Sequence, residues 1–437
     1  MENNKITIGQ NLKRIRKDFN LRQYELAGEQ ITRNLISLIE NDRTPIYHNV
    51  ATIISKNINK IIHDKGMDIY IQPEDILNPE RYDARKQANI YIEKLTTRLK
   101  DQNYEFELEE LNNVETFLNK WNFIDKKVKV YELLGDIYYN AKDSNKEYYY
   151  YLKALEVSYE YPYKRERYKI ILKLVYNCIV TEKFDEALRL CNFALSTQDD
   201  IPNKYKGIFY YNSALAYYHK KDYSLCLEQL IYAKYYITHK DYREIKRVLM
   251  LEGITNAEFE NYDGALRSYT KLLNIIEPFK DPEEICLAYM NIIQIHIKTN
   301  NRIKVLEYKD KILEHLTKIE KNSLYLAKIL FSLAHIYNYL KEYDTCENYL
   351  KKALVLSQDH KDTSLFPHVF LDVLNFYRET KQFEKIDSLA KNLRTMINNF
   401  EINKEFMIIL KILYNYIEQN NVLEAKYFVE NLLNEEV

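Results

Sequence analysis

Residues 131–157 read YELLGDIYYNAKDSNKEYYYYLKALEV, two apolar helical stretches joined by a short polar turn. The same pattern returns along the chain at a nearly constant spacing. The residues that open each second helix are Glu147, Ala187, Cys226, Ala265, Leu306, Cys346, Ile386 and Ala425. Successive spacings are 40, 39, 39, 41, 40, 40 and 39 residues. A period of this length predicts an all-α stack of helical hairpins.

Aromatic, small and apolar residues recur at fixed offsets from these openings. Three positions earlier lie mostly aromatic residues: Ser144, Phe184, Tyr223, Tyr262, Ile303, Tyr343, Phe383 and Val422. Seven positions later lie only Ala and Leu: Ala154, Ala194, Ala233, Leu272, Leu313, Ala353, Leu393 and Leu432. One period further back lies Glu107, with Tyr104 at its turn, so we predict nine hairpins. Helices cross closely where such residues recur, which gives the period a packing cause.

The repeat resembles the tetratricopeptide family. The first-helix small residue of that family is kept at Gly135, Ala214, Gly253 and Ala334. The likeness is weak around Gln294, Leu374 and Leu413, where armadillo-like or distorted repeats are the alternative. The period exceeds the family's usual value of about 34 residues, so each helix is expected to be longer. The resemblance implies a right-handed superhelix with the first helices on its concave wall.

Residues 8–60 predict four short helices ahead of the repeats. The first covers 8–19 and ends near Asn20, with an inward face made of Ile8, Leu12, Ile15 and Phe19. The second, RQYELA at 22–27, turns inward Leu26 and Ala27. The third, TRNLISLIE at 32–40, has Thr32 as N-cap and a buried stripe of Leu35 or Ile36 and Ile39. The fourth follows Pro45 and runs from about Val50 to Ile58.

The motifs LKRIR (12–16), LRQYELA (21–27) and ITRNLISLIENDRTP (31–45) resemble the DNA-binding domains of phage Cro and repressor proteins. The resemblance implies a helix-turn-helix whose third helix enters the major groove N-terminal end first. The DNA-binding residues that it implies are Gln23, Thr32, Arg33, Asn34, Ser37, Leu38 and Arg43. Among them, Arg33 and Asn34 match base-reading positions, whereas Gln23 and Arg43 match positions that hold the DNA backbone.

Two departures from the repressor pattern lie beside the third helix. The link GEQI (28–31) is one residue shorter than in phage repressors, and Asp42 stands where a glycine is usual. Asp tolerates a left-handed backbone better than most residues, so the turn is expected to survive. The alternative is four packed helices with an exposed Arg33 and Asn34 that bind nothing.

Pro73 and Pro79 predict a break into a short turn or helix before a long connecting helix. We therefore expect a helix-turn-helix domain at 1–72, a linker and connecting helix at 73–90, and repeats at 91–437 for peptide sensing and dimerisation. The repeat register places these residues on or near the concave wall: Tyr211, Asn291, Lys298, Phe331, His335, Asn338, Asn375 and Arg378. Asn side chains there could pair with a peptide backbone, although Asn is simply common in this chain.

The whole plan resembles the Gram-positive peptide-pheromone regulators of the Rgg, PlcR and PrgX group. That resemblance implies a cytoplasmic homodimer that binds double-stranded DNA and is switched by a short signalling peptide, as in quorum sensing. A phage arbitrium-type lysis or lysogeny regulator shares the plan. The rivals are a repeat scaffold for a protein partner and a body like that of Rap proteins, which act on response regulators and lack a repressor-like head.

Composition limits the other function classes. The net charge is −1, but residues 1–66 carry eleven Lys or Arg against seven Asp or Glu, which suits a phosphate-binding head. Only seven glycines occur, none in a phosphate-binding motif, so no cofactor and no enzyme activity are expected. The five scattered cysteines and nine histidines predict core packing and no metal site. No signal peptide or membrane span is evident, which predicts a cytoplasmic protein without membrane contact.

Overall fold

The computed structural model describes residues 6–67, 69–105, 108–160, 167–197, 200–238, 241–362 and 364–386, with shorter pieces between 388 and 433. Over these ranges the chain is α-helical, with one 3-10 turn at Glu277–Phe279 and no strand. The predicted all-α class with many helical hairpins is confirmed. The chain divides into two compact units, Met1–Tyr236 and Ile237–Val437.

The first unit begins with a five-helix head and continues with four hairpins. The head comprises α1 (Ile8–Asp18), α2 (Gln23–Ala27), α3 (Arg33–Glu40), α4 (His48–Asp64) and α5 (Pro73–Leu77). The hairpin helices are α6 (Pro79–Lys100), α7 (Leu108–Trp121), α8 (Ile124–Asn140), α9 (Ser144–Ser158), α10 (Arg167–Val180), α11 (Phe184–Ser196), α12 (Asn203–His219) and α13 (Tyr223–Tyr236). The predicted linker boundary at residue 90 lies inside α6, which packs against α7 and α8.

The second unit continues the hairpins. Its helices are α14 (Tyr242–Glu258), α15 (Tyr262–Ile276), α16 (Pro282–Lys298), α17 (Arg302–Leu316), α18 (Leu326–Leu340), α19 (Tyr343–Asp359), α20 (Phe366–Glu379) and α21 (Val422–Leu433). Across the chain, seven consecutive hairpins are described with both helices. The eighth and ninth lie partly outside the described residues, as do the predicted repeat positions Glu107 and Leu393.

The hairpin turns explain how so many helices end with so few glycines. In seven of them the residue two positions before the second helix adopts a left-handed backbone: Lys142, Glu182, Lys221, Glu260, Asn300, Lys341 and Lys381. The following N–H then reaches back to the last turn of the first helix, as from Asp143 to the Tyr138 carbonyl at 3.0 Å. This is the Schellman arrangement, which usually employs glycine. Here residues other than glycine adopt the left-handed backbone at each turn, so the helices end without needing glycine.

One predicted register is wrong. The repeat spacing predicts Leu306 at the buried position in the first turn of α17. Leu306 is 37% exposed, whereas Val305 and Ile312 are fully buried. The cause is the helix start: the side chain of Asn301 caps α17 by accepting the N–H of Lys304. Val305, and not Leu306, therefore occupies this repeat position. The two adjacent apolar residues at this point made both registers compatible with the sequence.

The small first-helix residue is matched to the residue sixteen positions later. A Cβ at Gly253 would lie 2.4 Å from the ring of Tyr269, and one at Gly135 would lie 2.4 Å from the ring of Tyr151. Where the first-helix residue is alanine, the later residue is leucine instead: Ala214 with Leu230, and Ala334 with Leu350. All eight residues except the two glycines are buried hydrophobics. The glycines therefore make room for a tyrosine ring.

This pairing predicts a coupled double substitution. Gly253→Ala alone should destabilise the α14–α15 hairpin by about 1–3 kcal/mol, because the buried Tyr269 ring cannot move aside. Hydrogen exchange of the α14 and α15 amides measures this loss. Adding Tyr269→Leu, which imitates the alanine hairpins, should make the double variant more stable than the sum of the single effects. Simple additivity of the two losses would refute the packing account.

The head has an apolar core that largely follows the sequence prediction. Leu12, Ile15, Leu26, Ile36 and Ile39 are all buried. Ile8 was placed on the inward face but is 38% exposed, because α1 begins at this residue and its side chain lies at the rim of the core. Helix α4 is also longer than expected, since its buried stripe continues to Ile62.

A buried polar cluster joins the head to the first repeat helices, and we call it the Asp75 cluster. Asp75 is fully buried on α5. Its carboxylate contacts Arg81 and lies 3.0 Å from Arg85, both on α6. Arg85 also forms an ion pair with Asp125 of α8 at 2.7 Å. Burial lowers the pKa of Arg85, but Asp125 and Asp75 outweigh this and leave it raised. The cluster thus pairs two arginines with two carboxylates, and buried Lys126 adds a third cation 3.6 Å from Asp125.

The same α5 segment is held from the head side by Asn11. This residue is buried on α1, and its Nδ2 donates to the carbonyl oxygens of Asp75 at 2.8 Å and Ile76 at 2.9 Å. Arg14 adds a surface ion pair from α1 to Asp83 of α6 at 2.8 Å. Helix α5 is thus fixed between α1 and α6 by both backbone and side-chain contacts.

Candidate functional site

Helix α3 presents one polar face and one apolar face. Thr32 caps its first turn, with Oγ1 accepting the N–H of Leu35 at 3.2 Å. Ile36 and Ile39 are buried on the inner side. The predicted DNA-contact residues lie on the other side: Thr32, Arg33, Asn34 and Leu38 are exposed, and Ser37 is half-buried. The N-terminal turn of α3 therefore projects an arginine and an amide into solvent.

The inner side of α3 is anchored by a carboxylate that sequence reasoning missed. Glu40 is 4% exposed and accepts two hydrogen bonds from the Arg16 guanidinium, at 2.6 and 2.9 Å. It also accepts one from Gln23 Nε2 at 2.8 Å. The hydrogen bond to Glu40 raises the pKa of Arg16. These contacts tie α1, α2 and α3 together and place Gln23 at the start of α2, half-buried beside α3.

The turn after α3 has the left-handed residue that the sequence predicted. Asp42 has φ +56, and Arg43 N–H donates to the Leu38 carbonyl at 2.9 Å. Asp42 also accepts a hydrogen bond from the Thr7 hydroxyl at 2.7 Å. A Cβ at Gly9 would lie 2.0 Å from the backbone oxygen of Ile39. Glycine at position 9 therefore lets α1 approach the end of α3.

Unpaired cations surround α3. Arg22, Arg33 and Arg43 are exposed, and none forms an ion pair with a carboxylate in the described part of the chain. By contrast, Arg14 and Lys86 are paired with Asp83 and Asp18 on the side of the head that faces α6. Free positive charge is thus present on α3 at Arg33 and directly after it at Arg43, and the head carries more on α1 and α4 at Lys17, Lys56 and Lys60. Such charge attracts an anionic polymer.

Removing the Glu40 carboxylate should loosen this arrangement. Glu40→Ala leaves the partly buried guanidinium of Arg16 without its partner, so the head should lose about 2–3 kcal/mol. Hydrogen exchange of the α1 and α3 amides measures the loss separately from the repeats. Glu29→Ala, at an exposed position in the α2–α3 link, is the matched control and should leave exchange unchanged. Equal protection in both variants would contradict the anchoring role.

The second unit contains a pocket of about 170 Å³ formed by α18, α19 and α20. Its lining residues are Ala334, His335, Asn338, Cys346, Leu350, Asp372, Asn375, Phe376 and Glu379. Three of the predicted peptide-binding residues, His335, Asn338 and Asn375, are brought together here. The volume is below the roughly 300–1,000 Å³ of small-molecule sites, so it suits one side chain of a larger ligand.

The polar groups of the pocket lie above an apolar floor. His335 Nε2 lies 3.1 Å from Asp372 Oδ2, which links α18 to α20. Neither Asn338 nor Asn375 forms a side-chain hydrogen bond with another described residue. Ala334, Leu350 and Phe376 are buried beneath them and make the floor apolar, as does Cys346. Burial, together with Asp372 and Glu347, raises the pKa of the Cys346 thiol to about 11, so it stays protonated.

The other predicted groove residues lie outside this pocket. Phe331 stacks edge-on against His335, with ring centroids 4.6 Å apart. Arg378 forms a long ion pair with Glu418 at 3.8 Å.

Two further groove predictions sit on α16. Asn291 donates to the Leu287 carbonyl at 3.0 Å, and Lys298 pairs with Glu258 at 3.6 Å. The repeat register of the α16–α17 hairpin is shifted by one residue. Asn291 and Lys298 are therefore offset by one position from Phe331 and Asn338, with which the sequence had aligned them. Tyr211 lies half-buried on α12 of the first unit.

Among the described helices, none is both long and apolar enough to span a bilayer. In the same part of the chain, no group of three His, Cys, Asp or Glu side chains is arranged to hold a metal ion.

Comparison with known proteins gives a likeness in fold. No protein-family model matches the sequence, and no curated protein matches it. The structure is similar to aspartyl phosphate phosphatase F from Bacillus subtilis, with 14% identity and TM-score 0.52 over 94% of each chain. It is also similar to a Rap protein complexed with competence and sporulation factor, with 12% identity and TM-score 0.42 over 71% of this chain and 96% of that one.

A third solved structure is PlcR from Bacillus thuringiensis in complex with the peptide PapR7 and DNA. It has 17% identity and TM-score 0.34, covering 63% of this chain and 95% of that one. At these identities the likeness is one of fold, and it rests on the TM-score of 0.52 with aspartyl phosphate phosphatase F.

Proposed function

We propose that this protein is a cytoplasmic transcription regulator that binds double-stranded DNA through α3 and is switched by a short signalling peptide held at the α18–α20 pocket. The observation that carries the DNA-binding part is the exposed N-terminal turn of α3. There Arg33 and Asn34 are exposed beside unpaired cations, while Glu40 hydrogen-bonds to α1 and α2 on the buried side of the helix. Arginine pairs with guanine and asparagine with adenine in the major groove, so the residue types fit the position.

The peptide-binding part rests on the pocket. Asn338 and Asn375 each offer an unpaired amide, which can donate to and accept from a peptide backbone without requiring a regular strand. Their position on α18 and α20, the first helices of successive hairpins, is the surface that the repeat plan assigns to ligands. A peptide that binds one conformation of the repeats better than another would shift the DNA-binding state.

We also propose a homodimer, the state that the family resemblance implies. A dimer with two copies of α3 would recognise two half-sites about 34–36 Å apart, or a multiple of that distance. Selection of bound duplexes from random DNA by the full chain should then return a palindrome. Selection of unrelated sequences without any shared motif would count against specific DNA recognition.

The α3 contacts predict two kinds of loss on the selected duplex. Arg33→Ala or Asn34→Ala should weaken binding by about 1–3 kcal/mol and relax the preference at one base pair. Arg43→Ala, and likewise Gln23→Ala, should weaken all sequences alike. Mobility shifts on the selected and mutated duplexes distinguish these effects. Arg243→Ala, an exposed arginine on α14, is the control and should bind DNA normally. A uniform loss from Arg33→Ala would refute its base-reading role.

The pocket amides predict a separate loss in peptide binding. Peptides retained by the full chain from a random heptapeptide library serve as ligands for calorimetry. Asn338→Ala or Asn375→Ala should weaken their binding by about 1–2 kcal/mol, since each removes hydrogen bonds to the peptide backbone. Asn348→Ala, an exposed residue on α19, is the matched control. DNA affinity without peptide should be unchanged; unaltered peptide affinity in both pocket variants would exclude the pocket.

A further inference from the structure

The α18–α20 pocket has an uneven charge distribution. Its lining includes two carboxylates, Asp372 and Glu379, and no lysine or arginine. Asp372, Asn375, Phe376 and Glu379 lie at positions i, i+3, i+4 and i+7, so they share one face of α20. Oxygen acceptors therefore line the α20 side of the pocket.

Nearby cations are engaged elsewhere. Arg378, beside Glu379 in the chain, lies 3.8 Å from the carboxylate of Glu418. Lys385 and Lys351 both form ion pairs with Glu347 of α19, which also accepts a hydrogen bond from Tyr377 of α20 at 3.4 Å. His335 is the one basic side chain in the lining, and it is already in contact with Asp372. The carboxylate of Glu379 is exposed and has no ion pair among the described residues.

The floor of the pocket is apolar, in contrast to its acidic α20 side. Ala334, Cys346, Leu350 and Phe376 are each at most 5% exposed and offer apolar atoms. Lysine and arginine side chains combine an apolar stem with a charged end, and they bury the stem while the end contacts polar groups. A volume of about 170 Å³ accommodates one such side chain. Apolar floor and anionic rim together match that shape.

We propose that the α18–α20 pocket selects peptides by a cationic group, which enters over the apolar floor and pairs with Asp372 and Glu379. This inference rests on the proposed peptide-sensing function. The cation is a lysine or arginine side chain of the peptide, or its terminal ammonium, and the shared chemistry is a hydrogen-bond donor with positive charge. Asn338 and Asn375 hold the adjoining backbone.

Synthetic heptapeptide libraries test the charge requirement with the full chain immobilised. The random positions exclude lysine and arginine, and the fourth residue is fixed as arginine, lysine or citrulline, the last having the shape of arginine without its charge. Each library is made with a free and with an acetylated N-terminus. Retained peptides are quantified by mass spectrometry. For a side-chain cation, we expect the acetylated arginine or lysine library to be retained at least about tenfold more than the acetylated citrulline library. For the terminal ammonium, we expect the free citrulline library to exceed the acetylated one by a similar factor.

Variants assign the effect to the pocket. The isosteric double change Asp372→Asn with Glu379→Gln should abolish the preference for charge while citrulline peptides are still retained. Glu379→Gln alone, which leaves the His335 contact intact, should reduce the preference. Glu320→Gln, an exposed glutamate outside the pocket, should keep it. Enrichment of arginine over citrulline that persists with acetylated peptides identifies the side chain as the cation. Retention of citrulline peptides only with a free N-terminus identifies the ammonium.

Two results would overturn the proposal, and they are distinguishable. Equal retention of the arginine and citrulline libraries, with no difference between free and acetylated N-termini, would refute selection by charge but leave peptide sensing intact. Failure of the chain to retain peptides from any library would remove the proposed peptide-sensing function and this inference with it.

Discussion

The Asp75 cluster is the constraint on which the first unit depends. A fully buried carboxylate is costly unless charge and hydrogen bonds compensate it, and here two arginines of α6 offset part of the cost. Burial outweighs them and leaves the pKa of Asp75 raised. Arg85 also forms an ion pair with Asp125, at the start of α8. Removing Asp75 would leave the buried guanidinium of Arg81 without its carboxylate, so the cluster constrains the geometry of α5, α6 and α8.

This constraint gives α6 two roles. It is the first helix of the first hairpin, and it is also the surface on which the head is mounted. Asn11 clamps α5 to α1, while Glu40 ties α1 to α3 through Arg16. A continuous series of buried polar contacts therefore runs from the first repeat helices to the helix that carries Arg33. Under the proposed function, this series of contacts is the route by which a change in the tilt of α6 would reach α3.

Much of the fold could be predicted from the sequence because its causes are local. The period fixed the hairpins, and Thr32 and Asp42 acted as predicted at the two ends of α3. The α17 register could not be settled, since Val305 and Leu306 are both apolar and only the cap at Asn301 decides between them. The Asp75 cluster escaped prediction because its members lie far apart in sequence and carry no motif spacing.

In the candidate sites, too, the sequence predicts what depends on local spacing and misses what depends on how helices pack together. Repeat register placed Asn338 and Asn375 on a shared surface, and the pocket contains both. It could not identify Asp372 or Glu379, because which acidic residue meets His335 depends on how α18 and α20 lie side by side. Likewise, the head motif pointed to Arg33 and Asn34 directly, since they lie on one helix.

Reciprocity between the two ligands tests the central claim most directly. Calorimetry of the full chain gives the affinity for a selected duplex with and without a selected peptide, and the affinity for that peptide with and without the duplex. If the repeats control the head, the two ratios must be equal and differ from one, by about 5–150-fold in typical allosteric proteins. Ratios of one, with both ligands bound together, would contradict the account.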